Sequence, residues 1–384
     1  MTAPREAAIE LDSPSRVHSG ARGCLDAALV FVASRVGLLG LTHLAALLGP
    51  RHDAMSVLRQ WDSGWYLTVA ARGYPSSLPI GALSSQSWRY DLAFFPLLPL
   101  LIHGLRSLTG LDLTLAGVVV SLLTSTLAVI ATYSLARRLC GHDVGLRTAT
   151  LLAFFPSAFV FSMVYTEGLF IACVAFCLLM LVDRRWLWAG MAGAVGTATR
   201  PNGIALIVCC LWVGVLEARR SRTVRPLLAP LIAPAGVAGY SLYLWAHTGD
   251  PLIWQKASAQ GFSERIDGGI STWRGLHNFV TSPISDFNRT AASLSVVFIV
   301  VTVVLLIQWR PPSVLLVCVI ALLGPVLLKS GFGATARYTM TAVPLLIAAT
   351  RRLPAGAFAA VCGTSALLMT IIGLAALSTL LYTP

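Results

Sequence analysis

The sequence predicts an all-α polytopic membrane protein with roughly eleven transmembrane helices. Of its 384 residues, 56% are hydrophobic and 11% charged, and mean hydropathy is +0.77, far from the balance of a soluble domain. Several apolar runs approach the roughly 20 residues that cross a hydrocarbon core of about 30 Å, with little polar sequence between them. The basic pairs fall at alternate ends of those runs, as the positive-inside rule requires. A single membrane-embedded domain over 24–384 follows, with outer loops at 50–112 and 247–289. The net charge of +12 would suit a polyanion, but the basic residues form no single stripe, so nucleic acid is set aside as a partner.

Residues 1–23 carry Arg5, Arg16 and Arg22 without the apolar core of a signal peptide, and read as a disordered cytoplasmic tail. The first span, 24–49, then leads outward. Arg35 lies within it and must snorkel or face protein. The outer loop 50–112 is interrupted by Arg72, Gly73, Tyr74 and Pro75. Its apolar run 92–102 contains Pro96 and Pro99 and is too short to cross, so this loop is expected to carry re-entrant or interfacial helices.

Further spans are expected at 113–135, 148–164, 168–182, 186–199, 203–216 and 226–246, and, after the second outer loop, at 290–307, 313–328, 339–349 and 356–381. Arg137, Arg138, Arg147, Arg184, Arg185, Arg219, Arg220, Arg222, Arg225, Arg310, Arg351 and Arg352 then lie on the inner side. In the second outer loop, Trp254, Phe262 and Trp273 stand among Lys256, Arg265 and Arg274, which predicts an amphipathic layer on the outer leaflet. The pentapeptide LAFFP occurs at 92–96 and again at 152–156, without the period of a repeat. The eight cysteines show no metal-site spacing and are expected to be small core residues.

With this topology, charged residues that lie outside or at membrane depth become informative. Asp62 sits in WDSGWY, where Trp61, Trp65 and Tyr66 serve as interfacial anchors beside a solvated acid or as the lining of a site. Glu167, in VYTEGLF, stands at a tight outer turn, where a helix dipole favours a carboxylate. Arg200 follows a helix of about 14 residues, rising about 21 Å, and so lies below the outer surface and needs an anionic partner. Pro201 and Gly203 break the backbone there, while Gly190, Gly193 and Gly196 allow a neighbouring helix to approach.

Lys329 and Arg337 flank the flexible turn KSGFGATARY. As solvated loop charges they are ordinary; together with Arg200 they form an electropositive pocket suited to a phosphate. A carboxylate that takes a hydroxyl proton, with fixed positive charge on a departing phosphate, is the division of labour for transfer from a lipid phosphate. No metal and no cofactor are expected.

The motifs WDSGWY with the following RGY (72–74), AFFPLLPLL, FFPSAFVFSMVYTEGLF, ATRPNG, GDPLIW and RYTMTAVP span most of the chain in order. With them the sequence resembles the bacterial branch of the GPI mannosyltransferase II family, within the GT-C class of polytopic glycosyltransferases. The resemblance implies a GT-C-like fold, a polyprenyl-phosphate-mannose donor and inversion at the sugar carbon to an α-mannosidic bond. It also implies a multi-pass plasma-membrane protein acting on the extracytoplasmic face.

Carried over, Asp62 becomes the catalytic base, and Arg200, Arg337 and Lys329 are expected at the donor phosphate. Trp61, Tyr66, Glu167, Asn202 and Tyr338 are expected at the substrate. The first loop lacks the adjacent acidic pair of protein O-mannosyltransferases and the Asp-x-Asp of related mannosyltransferases, which argues against those relatives and against a metal. A bacterium makes no GPI anchor, so the expected acceptor is a glycolipid or another glycan. Transfer of a different sugar is the alternative within the class. A lipid or glycolipid transporter is the alternative outside it, and would call for an internal duplication that this chain lacks.

Overall fold

The computed structural model describes residues 14–48, 54–74, 91–261, 265–282, 287–330 and 332–379. Among these the regular structure is helical, and the one strand-like feature is an isolated antiparallel bridge between Ile266 and Lys329. Six helices are long and apolar enough to cross a membrane: Gly20–Leu44, Leu113–Cys140, Pro201–Ser221, Arg225–Thr248, Asn288–Trp309 and Ala355–Leu377. The all-helical polytopic class therefore holds.

The other five expected spans are shorter. Glu167–Val182 and Ser313–Leu327 have 16 and 15 residues. The 186–199 span stops at Thr197. The 148–164 span is not one helix, because His142–Ala153 ends at the second LAFFP and gives way to a 3-10 turn over Ala158–Ser162. The 339–349 span divides into Thr335–Thr339 and Val343–Thr350. Proline accounts for much of this: Pro156 and Pro201 each follow a helix end, and Pro344 stands in the first turn of a new one.

The expected tail overlaps the first helix. Helix Pro14–Leu48 absorbs residues 14–23, with Gly20 against the Arg137 guanidinium and Gly23 against the Tyr133 hydroxyl; residues 1–13 lie outside the described residues. Phe262, in the second outer loop, lies outside them too.

Helix Leu113–Cys140 is central to the bundle. The Asp112 carboxylate caps it by accepting from the Thr114 and Leu115 amides at 2.9 and 3.4 Å, and these amides hold that carboxyl below its usual range. Gly141, at φ 94°, ends it, its backbone N–H donating a hydrogen bond to the Arg137 carbonyl. Helix Glu167–Val182 lies along it so closely that a Cβ on Gly168 would stand 2.8 Å from the Ser125 Cα. Gly190 and Gly193 admit the segment around Leu228–Ile232, whereas Gly196 faces Leu206 and Cys173. Five of the cysteines, Cys173, Cys177, Cys209, Cys210 and Cys318, are buried in the same core.

The two ends of the bundle differ in charge. At one end the basic residues tie neighbouring helices together: Arg138 pairs with Asp183 at 2.7 Å and Arg184 with Glu217 at 3.4 Å. There too Arg147 donates to the Leu353 carbonyl and Arg351 lies over the Trp309 ring. Helix Glu167–Val182 runs from that end to the other, a rise of about 24 Å. Glu167 therefore sits about one helix length from Asp183, on the side away from the basic clusters.

Broken backbone inside a bundle must find internal partners. Arg35 supplies some. Its Nη atoms donate to the carbonyls of Ala158 and Ala153 at 2.7 and 2.8 Å, and the guanidinium lies over Phe31 at 4.9 Å. The partner that Arg35 needs is thus the interrupted chain around the second LAFFP. The first LAFFP is held in a similar way by tyrosines: Tyr240 donates to Leu92 O at 2.9 Å and Tyr74 to Phe94 O at 2.6 Å. Phe95 in turn packs edge-on to Trp254 at 5.3 Å. Trp254 is consequently buried in a small core of its own, while Trp273, Arg265 and Arg274 are exposed. The amphipathic layer expected of the second outer loop excludes Trp254.

Gly168→Ala is expected to lower the thermal midpoint in nanodiscs, because the added methyl meets backbone; overpacking of this kind costs about 1–3 kcal/mol. Gly363→Ala, where nothing lies within 4 Å, is the control expected to leave the midpoint unchanged or raised.

Candidate active site

Asp62 opens the helix Asp62–Arg72 directly after Trp61, whose φ of 59° turns the chain sharply into it. A left-handed conformation at a tryptophan is costly and persists only where packing fixes it. The packing is aromatic. Trp65 stacks on Phe94 at 6.0 Å and the Tyr66 ring meets Phe94 edge-on at 4.9 Å. The Tyr66 hydroxyl reaches Thr166 Oγ1 at 3.3 Å, and the Asp62 amide donates to the Tyr165 hydroxyl at 3.3 Å. Trp65 and Tyr66 thus lock the first loop onto the first LAFFP and onto the turn before Glu167.

Four charged side chains from four distant segments meet beside that turn. Arg200 Nη1 donates to Glu167 Oε1 at 2.8 Å, and Arg337 Nη1 donates to Asp62 Oδ2 at 2.8 Å. Arg337 Nε lies 3.4 Å from the same Glu167 Oε1, so the two pairs join into one network. Aromatic rings enclose the guanidinium groups: Tyr338 lies under both, at 5.0 Å from Arg200 and 5.4 Å from Arg337, with Phe170 and Tyr165 on their other contacts. The side chain of Glu167 is 1% exposed and those of Arg200 and Arg337 are 8% exposed, while that of Asp62 is 25% exposed. Asp62 is therefore the open edge of an otherwise enclosed cluster.

Each element positions its residue for a local reason. Glu167 occupies the first turn of a helix, where the dipole favours it. Arg200 sits in extended backbone between Thr197 and the Pro201–Gly203 turn. The carbonyls freed there are met by Thr197 Oγ1, by Thr199 Oγ1 and by the Leu97 amide. Arg337 lies in the short helix Thr335–Thr339, between two breaks.

Of the expected site residues, the structure brings together Asp62, Tyr66, Glu167, Arg200, Arg337 and Tyr338. Trp61 adjoins them, its indole N–H buried without a hydrogen-bond partner. Asn202, half-buried, follows Arg200 in the 3-10 turn, and Lys329 is bridged through its backbone to Ile266; neither belongs to the ion-pair network.

Two expectations change. The pocket read as electropositive from Arg200, Arg337 and Lys329 is charge-balanced at its centre, because Glu167 and Asp62 neutralise both arginines. Glu167, expected at the substrate, is enclosed and paired with the arginines. Tyr165 and Phe170 were not singled out by sequence reasoning, although both lie inside the quoted motif around VYTEGLF; an aromatic residue beside a buried charge was the available signal.

Residues 95–243 match the family described as dolichyl-phosphate-mannose-protein mannosyltransferase. No curated protein matches the chain. The matched stretch holds Glu167, Arg200 and Asn202, begins after Asp62 and ends before Arg337. It supports a membrane glycosyltransferase of the GT-C class. The acid pattern that argued against protein O-mannosyltransferases lies in the first loop, outside that stretch, so the two observations concern different parts of the chain.

Arg200→Met is expected to destabilise the folded protein by about 3–5 kcal/mol, since it removes the one short hydrogen bond from an arginine to a buried carboxylate. Arg138→Met, which breaks an exposed pair, is expected to cost at most about 1 kcal/mol. Unfolding titrations of both variants in mixed micelles check the contrast, and equal losses would mean that Arg200 is not a buried charge partner.

Proposed function

We propose that this protein is an inverting α-mannosyltransferase of the kind found in the GPI mannosyltransferase II family. In this reading it moves mannose from polyprenyl-phosphate mannose to a glycolipid or glycan acceptor on the extracytoplasmic face of the plasma membrane. The observation that carries the reading is the position of Asp62, a partly open carboxylate at the rim of two enclosed arginines. The face follows from charge: the basic end of the bundle is cytoplasmic by the positive-inside rule, and the cluster lies at the other end.

The chemistry divides between these groups. The acceptor hydroxyl gives its proton to Asp62, and its oxygen attacks the anomeric carbon from the side opposite the phosphate. The bond from that carbon to the phosphate oxygen breaks, and the electron pair leaves with the polyprenyl phosphate. Arg200 and Arg337, with Lys329 further along the same loop, are assigned to the charge that grows on the departing phosphate. Trp61, Tyr66, Asn202 and Tyr338 are assigned to the sugar and its surroundings. A lipid-linked donor suits this position, since its tail stays in the bilayer while its head reaches the helix ends.

Asp62→Asn is expected to reduce transfer of mannose from polyprenyl-phosphate mannose by at least ~100-fold in folded protein, the usual scale for removing a general base. A rate near that of the parent protein would remove Asp62 from the mechanism.

A further inference from the structure

Arg337 faces two carboxylates but satisfies only one of them well. Its Nη1 makes a short bond to Asp62, whereas its Nε, although 3.4 Å from Glu167 Oε1, makes no hydrogen bond. Glu167 Oε2 is likewise buried and unpartnered, because Arg200 occupies Oε1. A buried donor and a buried acceptor thus stand unmet on adjacent residues. Such groups are normally satisfied, and a small rotation of one guanidinium would join them in a forked pair, the arrangement that planar guanidinium and carboxylate groups favour.

In the state described here the Asp62 carboxylate is also only half free. One of its two carboxylate oxygens, Asp62 Oδ2, already accepts from Arg337. The groups around it are Arg337 itself, Tyr165 through its hydroxyl, Tyr66 one turn along the same helix, and the Glu167–Arg200 pair behind Arg337. Of these, Arg337 is the one whose movement would free Oδ2. The Tyr165 and Tyr338 rings flank its guanidinium and would guide it in turning.

We infer that Glu167 is a positioning residue that offers Arg337 a second seat: as the donor phosphate arrives, Arg337 turns from Asp62 toward Glu167 and leaves Asp62 free to take the acceptor proton. This rests on the function proposed above and adds a regulation of the same site. Two positive and two negative groups balance before the donor binds. The incoming phosphate supplies negative charge, so a guanidinium can leave Asp62 and remain paired.

The test is a kinetic cycle in nanodiscs with polyprenyl-phosphate mannose and a fixed acceptor. Glu167→Gln is expected to lower kcat by roughly 10–100-fold, within the range of general-base contributions, while donor KM changes less than about threefold. Glu167→Asp, which keeps the charge, is expected to recover much of kcat. In an Arg337→Gln background the further loss on Glu167→Gln is expected to shrink to within about twofold, because the two residues act as one unit.

Full additivity of the two substitutions, or a raised donor KM with unchanged kcat, would overturn the second seat and make Glu167 a structural or direct-binding residue. Where Glu167→Gln does not fold, the same cycle is run with Glu167→Asp, whose shorter reach is expected to lower kcat in the parent background only. Asp62→Asn is measured beside it. If that variant is active, the base assignment fails; if it is inactive while the cycle is additive, only the second seat fails.

Discussion

A carboxylate that is 1% exposed, shared between two guanidinium groups, constrains much of this molecule. Burying one charge is costly, and burying three is tolerable only where each finds its opposite at hydrogen-bond distance. Arg200 and Arg337 are separated by well over a hundred residues of sequence, yet Glu167 requires both nearby. That requirement draws together the turn before Glu167–Val182, the break after Trp186–Thr197 and the short helix Thr335–Thr339. Asp62, which takes the remaining bond of Arg337, fixes the first outer loop to the same point.

The irregular helices follow from this arrangement. A continuous helix crossing the bundle would carry its side chains past the cluster and leave no extended backbone from which Arg200 could reach inward. Instead, helices stop at 153, 197 and 339, and the carbonyls and amides they release are taken up by side chains of other segments. Arg35 does this for the second LAFFP and Tyr74 and Tyr240 for the first, while before Pro201 it is the Leu97 amide that meets the Ala198 carbonyl. Polar groups that look misplaced in an apolar sequence are therefore the ones that make interrupted helices tolerable in a membrane.

How far this could be read from the sequence depended on the kind of signal. Hydropathy and the spacing of arginine pairs identified the long helices, because both are properties of runs of residues. The depth of Arg200 below the surface followed from helix length, and with it the need for an acidic partner. The partner itself did not, since Glu167 is no more distinctive in sequence than an acid capping a helix, which it also is. The 148–164 and 339–349 segments were read as crossings because their apolar content is the same whether the backbone is continuous or broken. The balance of charge at the site was hidden for a related reason: sequence shows which groups are basic, and only three-dimensional proximity shows that two acids already neutralise them.

The difference in exposure within the cluster is what separates the two acids in the proposed function. Glu167 and Asp62 are alike in charge and each pairs with an arginine, but the first is enclosed with guanidinium groups that pack on Phe170, Tyr165 and Tyr338 while the second has a side open. A proton acceptor must meet a hydroxyl that comes from outside, so reach decides between them. The enclosed acid is better placed to hold charge that does not move. In the proposed function, two carboxylates that share an arginine thus serve different ends, one fixing the guanidinium and one exchanging with the substrate. The strained backbone at Trp61 belongs to the same logic, because it is what turns Asp62 toward the rim and not into the core.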